Sequence, residues 1–352
     1  QMLQKNKFAN NITYADAILS ATKIMLKKNK DVFVFGQGVD DPKGHYGTTL
    51  NLHKDFGEDR CFDTPICEES MTGVGIGAAI AGMSPILVHQ RMDFLMLAMN
   101  QIVNMASKIH YISDGKLCVP IVVRACIGRS WGQGAQHSQS LLSTFAHIPG
   151  LKVIAPTTPH DVKGTLITAI EDRNPVIFIE HRMLYKNKGL VPEGYYKVGF
   201  GKSRTLSKGC DITLVGISFT VIDCINAKKL LQEKSINAEV IDLLSIQPLD
   251  MSKIVSSVKK TKKLVIVEND WINCGVSSEI ISRLIETYNV KFEVKRIGYL
   301  FTPCPTTSAL EESFYPSPEK IAKVSYEMVT KKKNWKPRKI KTKEIEEFKG
   351  PF

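Results

Sequence analysis

Two adjacent carboxylates, Glu68 and Glu69, stand between a turn and a run of small residues. The turn is predicted at 63–65, because Pro65 fixes its own φ and disfavours helix in the residue before it. A single carboxylate at a helix start often does no more than cap the helix or favour its dipole. Two carboxylates exceed what a cap needs, so the pair predicts proton transfer or ligand binding at a helix start. A capped core helix is the alternative.

The run that follows, 72–82, contains glycine at 73, 75, 77 and 82 and nothing larger than isoleucine. Glycine is a poor helix former, so this helix needs close packing against another backbone or a flat ligand. The letters GVGIGA at 73–78 also satisfy the dinucleotide-binding pattern, which requires a preceding strand and a helix N-terminus open to pyrophosphate. Because Glu68 and Glu69 stand where the phosphates would lie, nicotinamide or flavin binding is not expected here.

A glycine-rich loop at 128–150 carries His137 within the polar group Gln136, Ser138 and Gln139. Glycine permits close approach of the backbone to a ligand, and histidine can donate or accept a proton near neutral pH. The segment therefore predicts a catalytic histidine. The alternative is a histidine whose hydrogen bonds only hold the loop in place.

The elements that position these residues alternate between short apolar strands and helices, which indicates a parallel sheet covered on both faces. In the long helix predicted at 94–112, the apolar face consists of Phe94, Leu97, Ala98, Ile102 and Met105. The other predicted helices are 14–28 and one that ends at 169–170, and the predicted strands are 32–35, 85–88, 120–125, 152–155 and 175–180.

The alternation restarts after a segment rich in glycine, lysine and proline. We therefore predict two α/β domains, at 1–190 and 204–330, joined by a linker at 191–203 and followed by a basic tail at 331–352. The second domain is predicted to contain strands at 212–216, 239–243, 263–267 and 291–297, and helices at 221–233, 251–259, 275–287 and 318–330.

The composition, 43% hydrophobic and 23% charged over 352 residues, is that of a globular protein large enough for two packed domains. No apolar run is long enough to span a membrane, and the first 18 residues lack the apolar block of a signal peptide. The eight cysteines form no C-x-x-C pair and have no histidine at zinc-ligand spacing, as expected of buried thiols in a reducing compartment. A cytoplasmic protein is predicted.

About half of the formal charge of +12 lies in the tail at 331–352, which has nine basic and three acidic residues. Such a tail can bind nucleic acid, an acidic protein surface or anionic lipid. Its only aromatic residues are Trp335, Phe348 and Phe352, too few to provide a base-stacking surface. A solvated extension or a partner-docking segment is therefore expected rather than nucleic-acid binding.

Together with the His137 loop, the motifs DTPICEE, HQRMDF, GLKVIAP and NPVIFIEHR carry a resemblance that covers residues 12–330. The sequence closely resembles the β subunits of thiamine-diphosphate-dependent 2-oxoacid dehydrogenases, the decarboxylating first components of pyruvate, branched-chain and acetoin dehydrogenase complexes. The resemblance implies a pyrimidine-binding α/β domain with a mainly parallel sheet, followed by a smaller α/β domain like the C-terminal domain of transketolase.

The resemblance also implies roles for particular residues. Glu68 would hydrogen-bond the pyrimidine ring of thiamine diphosphate and activate the cofactor, Phe94 would pack on that ring, and His137 would act near the reacting carbons. A separate α subunit would hold the diphosphate and Mg²⁺, since the Gly-Asp-Gly and Asn-Asn motif of thiamine enzymes is absent from this chain. Two α and two β chains, a β–β contact and docking to a lipoyl acyltransferase core are implied, without a nucleic-acid or membrane partner.

A monovalent cation site is implied by the same resemblance, with oxygen ligands suited to K⁺ and supplied mostly by backbone carbonyls. The alternative is a plain helix end before Pro175. The matching positions are Ile121, Ala169, Ile170, Asp172 and Asn174.

Two departures from the family pattern concern the substrate. Gln37 stands where most relatives have an acidic residue, which puts proton communication around the cofactor in doubt. Arg91 could bind a substrate carboxylate or phosphate through both guanidinium N–H groups, and a structural Arg91–Asp93 pair is the alternative.

The main functional hypothesis is oxidative decarboxylation of a 2-oxo acid, with pyruvate favoured, and acyl transfer to lipoyl in the presence of an α subunit. The second hypothesis is a two-chain transketolase-like enzyme that transfers a ketol or acyl unit in a biosynthetic pathway. The third is a non-catalytic binding module that acts through the basic tail. The location would be the cytoplasm, or a mitochondrial or plastid matrix for a mature eukaryotic protein.

Overall fold

The computed structural model describes residues 9–129 and 132–340, which form two α/β units. The first unit contains residues 9–127 and 144–200. The second contains the described residues of 128–143 together with 201–340. The predicted two-domain α/β fold is confirmed. The part of the basic tail at 341–352 lies outside the described residues.

The first unit is built on a parallel sheet with the strand order β6-β7-β5-β4-β2-β3, and β1 pairs antiparallel with β8 in a separate ribbon. Its strands are β1 (Ala9–Thr13), β2 (Val32–Gly36), β3 (Cys61–Asp63), β4 (Ser84–His89), β5 (Val122–Ile127), β6 (Lys152–Ile154), β7 (Val176–His181) and β8 (Lys188–Pro192). The helices are α1 (Tyr14–Lys28), α2 (Leu52–Phe56), α3 (Glu68–Ile80), α4 (Met92–Leu95), α5 (Ile109–Ile112), α6 (Leu142–Ala146) and α7 (Pro159–Ile170).

The second unit contains a five-stranded sheet in the order β14-β13-β10-β11-β9, in which only β9 runs antiparallel to its neighbour. The strands of this sheet are β9 (Arg204–Ser207), β10 (Ile212–Gly216), β11 (Ala238–Asp242), β13 (Lys263–Trp271) and β14 (Glu293–Tyr299), and β12 (Ser245–Gln247) lies outside it. The helices are α8 (Thr220–Gln232), α9 (Ser252–Thr261), α10 (Val276–Glu286), α11 (Ser308–Phe314) and α12 (Pro318–Thr330).

Local signals account for the elements that were predicted most closely. At the start of α1, the hydroxyl of Thr13 accepts the N–H of Asp16 while the Asp16 carboxylate accepts the N–H of Thr13. This reciprocal cap satisfies two backbone donors and defines the first turn. Helix α12 begins similarly, with Ser317 accepting the N–H of Lys320 and Pro318 in the first turn. Both helices have the predicted bounds.

The long helix predicted at 94–112 is wrong. The chain there forms α4, a 3₁₀ turn (Met96–Ala98), a π turn (Gln101–Ala106) and α5. Polar side chains bond locally in this segment, since Ser107 Oγ donates to the carbonyl of Val103 at 2.8 Å and Asn104 Nδ2 donates to Asn100 Oδ1 at 2.8 Å. Such bonds and the wider turn disrupt the regular ladder.

The break in this helix also changes its buried face. Ala98 and Ile102 are buried as predicted, whereas Leu97 is 61% exposed and Met105 is 45% exposed. A helical wheel assumes a constant rotation per residue, and the π turn interrupts that rotation.

The linker predicted at 191–203 begins inside β8, which pairs with β1 along its whole length. The glycine, lysine and proline residues of this segment favoured an irregular linker rather than a strand. The ribbon partner lies near the start of the described chain, so the pairing has no local signal in the sequence.

Residues 331–340 are mostly exposed, as expected of a solvated extension, but some of their side chains contact the second unit. Trp335 packs on Tyr326 with ring centroids 4.9 Å apart, and Ile340 also contacts the core of the second unit. Arg338 Nη2 lies 2.8 Å from Glu233 Oε1, and Lys339 Nζ lies 3.1 Å from Glu312 Oε1. Two apolar contacts and two exposed ion pairs connect this segment to its own domain.

Within residues 9–129 and 132–340, no helix has both the length and the apolar character needed to cross a membrane.

Candidate active site

The site begins at the carboxyl edge of the parallel sheet in the first unit, where ligands commonly bind in open α/β sheets. Strand β2 ends at Gly36, whose φ of +132° is accessible mainly to glycine. A Cβ atom there would lie 2.3 Å from the carbonyl oxygen of Val88 in β4. Glycine therefore allows β2 and β4 to remain in contact as the chain turns toward Gln37.

Glu68 is the first residue of α3 and is only 7% exposed. Its Oε1 accepts the side-chain N–H of Gln37 at 2.9 Å, and the Oε1 of Gln37 accepts the backbone N–H of Gln90 at 3.3 Å. This chain of hydrogen bonds fixes the amide of Gln37 and orients the Glu68 carboxylate. The structure thus brings together two of the residues predicted from the sequence.

The two adjacent carboxylates have different environments. Glu69 is exposed, and its Oε1 accepts the side-chain N–H of Gln101 at 2.9 Å. Successive residues of a helix point about 100° apart, which places one carboxylate inward and the other outward. The buried carboxylate, Glu68, is the one that can bind a ligand at the sheet edge.

The small residues of α3 serve close packing on the sheet. A Cβ atom on Gly75 would lie 2.8 Å from Phe35 Cζ and 3.0 Å from Ile121 Cδ1. Because α3 begins at Glu68, the glycine pattern at 73–78 lies inside the helix, where backbone N–H groups are already bonded. The pattern therefore lacks the free helix N-terminus that a dinucleotide phosphate needs.

Phe94 and Arg91 belong to the turn that follows β4. Arg91 precedes α4 and is 5% exposed, Asp93 is buried, and Phe94 is half-buried within α4. The backbone N–H of Gln90 donates to the side chain of Gln37, so this turn lies at the same sheet edge as Glu68.

A buried ionic network near this edge was missed by the sequence analysis. Arg124 in β5 pairs with Glu180 in β7, at 2.5 Å from Nε to Oε1 and 3.0 Å from Nη2 to Oε2. The hydroxyl of Tyr185 donates to Glu180 at 2.9 Å, and Arg124 Nη2 donates to Thr48 Oγ1 at 2.7 Å. The available signal was a charged residue inside each of two strongly apolar strands.

Further cationic and aromatic groups adjoin this network. The guanidinium carbon of Arg182 lies 4.5 Å from the ring centroid of Tyr46, and Tyr46 stacks on Tyr185 with centroids 5.3 Å apart. Burial lowers the pKa of His45 well below its usual value, and the charges of Arg124, Arg182 and Arg91 lower it further. His45 is therefore neutral at pH 7.

His137 belongs to the second unit, in a loop whose position is determined by contacts within that unit. The Asp270 carboxylate accepts the N–H of Leu142 at 2.8 Å, and Cys304 Sγ donates to the carbonyl of Ser138 at 3.6 Å. A Cβ atom on Gly132 would lie 2.3 Å from the carbonyl oxygen of Thr306, which explains that glycine. Residues of β13 and the chain after β14 thus position the histidine loop.

Burial has marked effects on two acids of β13. It raises the pKa of Asp270 to about 6, although backbone N–H groups of Trp271, Leu142, Ser143 and Leu141 oppose the shift. It raises the pKa of Glu268 to about 7, against hydrogen bonds from Ser277 and Val276. The Glu268 carboxylate accepts the first N–H groups of α10.

The five positions of the expected cation site lie before β5 and at the end of α7. Asp172 Oδ1 accepts the backbone N–H of Asn174 at 2.9 Å, and its Oδ2 pairs with Lys152. The carbonyl of Ile121 accepts the N–H of Val176 at 2.9 Å, and that of Ala169 accepts the N–H of Asp172 at 3.2 Å. Carbonyl oxygens have a second lone pair, so backbone ligation is compatible with these bonds.

Among residues 9–129 and 132–340, no cluster of three or more His, Cys, Asp or Glu side chains is arranged to hold a metal ion.

Comparison with known families defines the class of protein. Residues 10–188 match the family model for the pyrimidine-binding domain of transketolase, and residues 201–321 match the model for the transketolase C-terminal domain. A solved structure titled as a split-gene transketolase, an inactive β4 tetramer, shares the fold with a TM-score of 0.75 and 21% identity, over 91% of this chain and 99% of that one.

Comparison with sequence relatives identifies the family within this class. The chain is 39% identical to the pyruvate dehydrogenase E1 component subunit beta of Rickettsia felis over 321 residues, covering 90% of this chain and 98% of the relative. It is 36% identical to the acetoin:2,6-dichlorophenolindophenol oxidoreductase subunit beta of Bacillus subtilis over 335 residues, covering 91% and 98%. The chain belongs to this family of transketolase-like β subunits.

Proposed function

We propose that this chain is the β subunit of a two-chain, thiamine-diphosphate-dependent 2-oxoacid dehydrogenase. The single observation that carries the proposal is the buried Glu68 carboxylate, held by Gln37 at the carboxyl edge of the parallel sheet. The relatives include β subunits named for pyruvate dehydrogenase and for acetoin oxidoreductase, and the proposed reaction is oxidative decarboxylation of a 2-oxo acid, with pyruvate as the first substrate to test.

The residues present fit the pyrimidine half of thiamine diphosphate. Glu68 offers one carboxylate oxygen to Gln37 and keeps acceptor capacity for a ring N–H, while Phe94 offers an aromatic surface. When bound, the cofactor supplies the carbanion stabilisation that decarboxylation needs. The role of Glu68 is to hold a proton at the ring nitrogen, and that of His137 is to donate or accept a proton near the reacting carbons.

An α subunit would supply the diphosphate and Mg²⁺ sites. Exposed apolar side chains on α3 and on the segment that follows α4 support a protein partner, since large apolar surfaces are normally covered. Examples are Val74 at 64%, Leu97 at 61% and Tyr111 at 88% exposure. A complex of two α and two β chains with a β–β contact follows from this proposal.

Three finer assignments belong to the same proposal. The five predicted positions at 121 and 169–174 would bind K⁺ mainly through backbone oxygens, with the Lys152 ammonium competing for the side chain of Asp172. Acyl transfer would be to lipoyl on an acyltransferase core. The compartment would be the cytoplasm or an organellar matrix, as one relative is the mitochondrial protein of Dictyostelium discoideum.

The test is co-expression with a candidate α subunit and measurement of 2-oxoacid-dependent dye reduction. We expect Glu68→Gln to lower the rate about 100-fold or more, because the amide cannot hold the shared proton. Glu69→Gln is the matched control, since the adjacent carboxylate is exposed, and it should retain the rate. Equal activity of both variants would show that Glu68 is not the cofactor ligand.

A two-chain transketolase-like enzyme is the second candidate, favoured by the buried Arg91 at the same sheet edge. Such an enzyme would transfer a ketol or acyl unit to a sugar or amine without lipoyl. Product analysis with and without lipoamide separates the two reactions. A tail-mediated binding module is less favoured, because residues 331–340 pack on their own domain.

A further inference from the structure

Residues 331–340 place a dense group of positive charges on the surface of the second unit, and we call this segment the basic strip. Six of its ten residues are basic and none is acidic. The strip follows the end of α12 and forms neither helix nor strand. All six basic side chains are exposed, and they are Lys331, Lys332, Lys333, Lys336, Arg338 and Lys339.

The apolar residues of the strip face their own domain. Trp335 packs on Tyr326 with ring centroids 4.9 Å apart, Pro337 is buried, and Ile340 packs against the core of the second unit. Because the apolar residues are interspersed with the basic ones, these contacts leave the charged side chains on the solvent side. The strip therefore presents its charges from a docked chain.

Three of the six charges are paired with carboxylates of the same unit. The pairs are Lys331 with Glu293 at 2.6 Å, Arg338 with Glu233 at 2.8 Å and Lys339 with Glu312 at 3.1 Å. Exposed pairs of this kind contribute little to stability. They do show that the cations of the strip bind carboxylates of a protein surface.

The other three charges, on Lys332, Lys333 and Lys336, have no ion-pair partner within residues 9–129 and 132–340. Lys234 lies beside them, with Nζ 5.8 Å from the ring centroid of Trp335. The helix dipole favours a cation at the end of α12, but this effect is confined to the last turn and does not account for the lysines that follow.

The charge at this surface remains positive when the neighbouring acids are counted. Lys331 lowers the pKa of Glu293, and Lys263 lowers it further, so two lysines share one carboxylate. Eight basic residues, the six of the strip with Lys234 and Lys263, adjoin five carboxylates. The five comprise the three paired acids, Glu319, which accepts the N–H of Ile340, and Glu327, one turn before Lys331. Three positive charges are therefore in excess.

We propose that the basic strip, together with Lys234 and Lys263, is a docking surface for a protein segment rich in aspartate and glutamate. Exposed lysines produce a positive potential that attracts anionic partners, over about 8 Å at about 0.15 M salt. Because the apolar contacts already order the strip, binding costs less conformational entropy than it would for a free tail. This function would be additional to the proposed catalysis and does not depend on it.

The chemistry of the strip favours carboxylates over phosphates and lipids. Arginine provides the paired donors that suit phosphate, and the one arginine of the strip already bonds Glu233 through Nε and Nη2, at 3.0 and 2.8 Å. The one aromatic ring of the strip, Trp335, packs on Tyr326 and is not open for base stacking. Since its apolar residues face the domain, the strip has no apolar side chain to insert into a membrane.

The experiment is a fluorescence-anisotropy titration of a labelled glutamate-rich peptide with the full-length chain. The full-length chain is needed because Glu344, Glu346 and Glu347 would compete with the peptide for the strip. We expect the peptide to bind at about 0.05 M salt and to bind about tenfold more weakly at about 0.15 M, because salt screens exposed charges. No binding at the lower salt concentration would overturn the proposal.

A triple variant assigns the binding to the strip. Combining Lys332→Gln, Lys333→Gln and Lys336→Gln removes three exposed charges and keeps the contacts of Trp335 and Ile340. This variant should bind the peptide at least about tenfold more weakly than the unmodified chain. Unchanged binding would overturn the proposal.

The matched control removes the same number of exposed charges from the first unit, by Lys27→Gln, Lys54→Gln and Lys116→Gln. It should bind the peptide as the unmodified chain does. An equal loss in both triple variants would show a general attraction to net charge and would also overturn the proposal.

Trp335→Ala tests whether the docked conformation matters. It keeps every lysine but removes the aromatic contact, and it should weaken peptide binding about threefold or more, because the segment must then be ordered on binding. Unchanged binding would overturn the claim that the docked strip forms the surface.

Two further probes test the class of partner. Single-stranded DNA and vesicles that contain phosphatidylserine are titrated at the same salt concentrations, and both should bind more weakly than the peptide. Tighter binding of DNA would reassign the strip to nucleic acid, and tighter binding of vesicles would reassign it to a membrane. Either result overturns the proposed protein partner. None of these assays needs an α subunit or turnover, so they leave the proposed reaction untouched.

Discussion

Replacement of Asp270 by asparagine should change how stability depends on pH. The folded chain holds the pKa of Asp270 at about 6, above its ordinary value of 3.8. The folded state therefore binds more protons than the unfolded state between these values. Stability from this group is present at low pH and is lost as the pH rises through about 6.

The magnitude follows from the size of the shift. A difference of about 2 pKa units corresponds to about 3 kcal/mol, of which about 2 kcal/mol is lost between pH 4.5 and 7.5. Asparagine does not ionise, so Asp270→Asn lacks this dependence. Relative to the unmodified chain, the variant should become more stable by about 2 kcal/mol across that range.

The assay is guanidinium unfolding at several pH values between 4.5 and 7.5 and constant ionic strength. Any pH-independent cost of the substitution, such as the lost bond to Leu142, cancels in the change with pH. Asp250→Asn is the matched control in the same unit. Burial raises the pKa of Asp250, but hydrogen bonds from Ser252 and Ser203 outweigh this and lower it.

The stability supplied by Asp250 is therefore lost only as the pH falls below its ordinary pKa, and Asp250→Asn should differ from the unmodified chain by a constant amount over the assayed range. A constant difference for Asp270→Asn as well would refute the inference that burial dominates at β13.

Two further predictions concern buried charge and the docked tail. Glu180→Gln leaves Arg124 without its carboxylate and should lower the free energy of unfolding by about 3 to 5 kcal/mol. Glu279→Gln, in the exposed pair with Arg283, is the control and should lower it by less than about 0.5 kcal/mol. Equal effects of the two variants in denaturant unfolding would contradict the buried pair. Trp335→Ala should release the tail and raise its rate of proteolytic cleavage about tenfold, because a loss of about 1.4 kcal/mol of docking free energy raises the population of the undocked tail by that factor. Trp335→Phe is the control, since it keeps an aromatic contact, and should be cleaved more slowly than Trp335→Ala. Identical cleavage of both variants would contradict docking through the ring.

The elements that the sequence predicted well are those with local signals. Helix α1 has a reciprocal cap between Thr13 and Asp16, whereas the turn predicted at 63–65 is wrong because Asp63 ends strand β3. Such a cap depends on neighbours within a few residues. The contact between Glu68 and Gln37 has no local signal, because 31 positions separate them, and only the family resemblance linked both residues to the cofactor.

The features that the sequence did not predict depend on distant parts of the chain. The buried network joins Arg124 to Glu180, 56 positions away, and to Thr48, 76 positions away, so the charged residues within β5 and β7 do not reveal their partners. The ribbon of β1 and β8 joins Ala9 to Pro192. After α4 the helix changes to a 3₁₀ turn and a π turn, and hydrophobic periodicity does not detect such changes in helix type.

The docked segment 331–340 has a practical consequence for recombinant work. The match to the transketolase C-terminal domain ends at residue 321, and helix α12 ends at Thr330, so either point would look like a natural place to shorten the chain. Cutting there removes Trp335 and Ile340 and uncovers the apolar surface of Tyr326 and its neighbours. Shortened versions should self-associate more readily than the full-length chain, and affinity tags are better attached beyond residue 340.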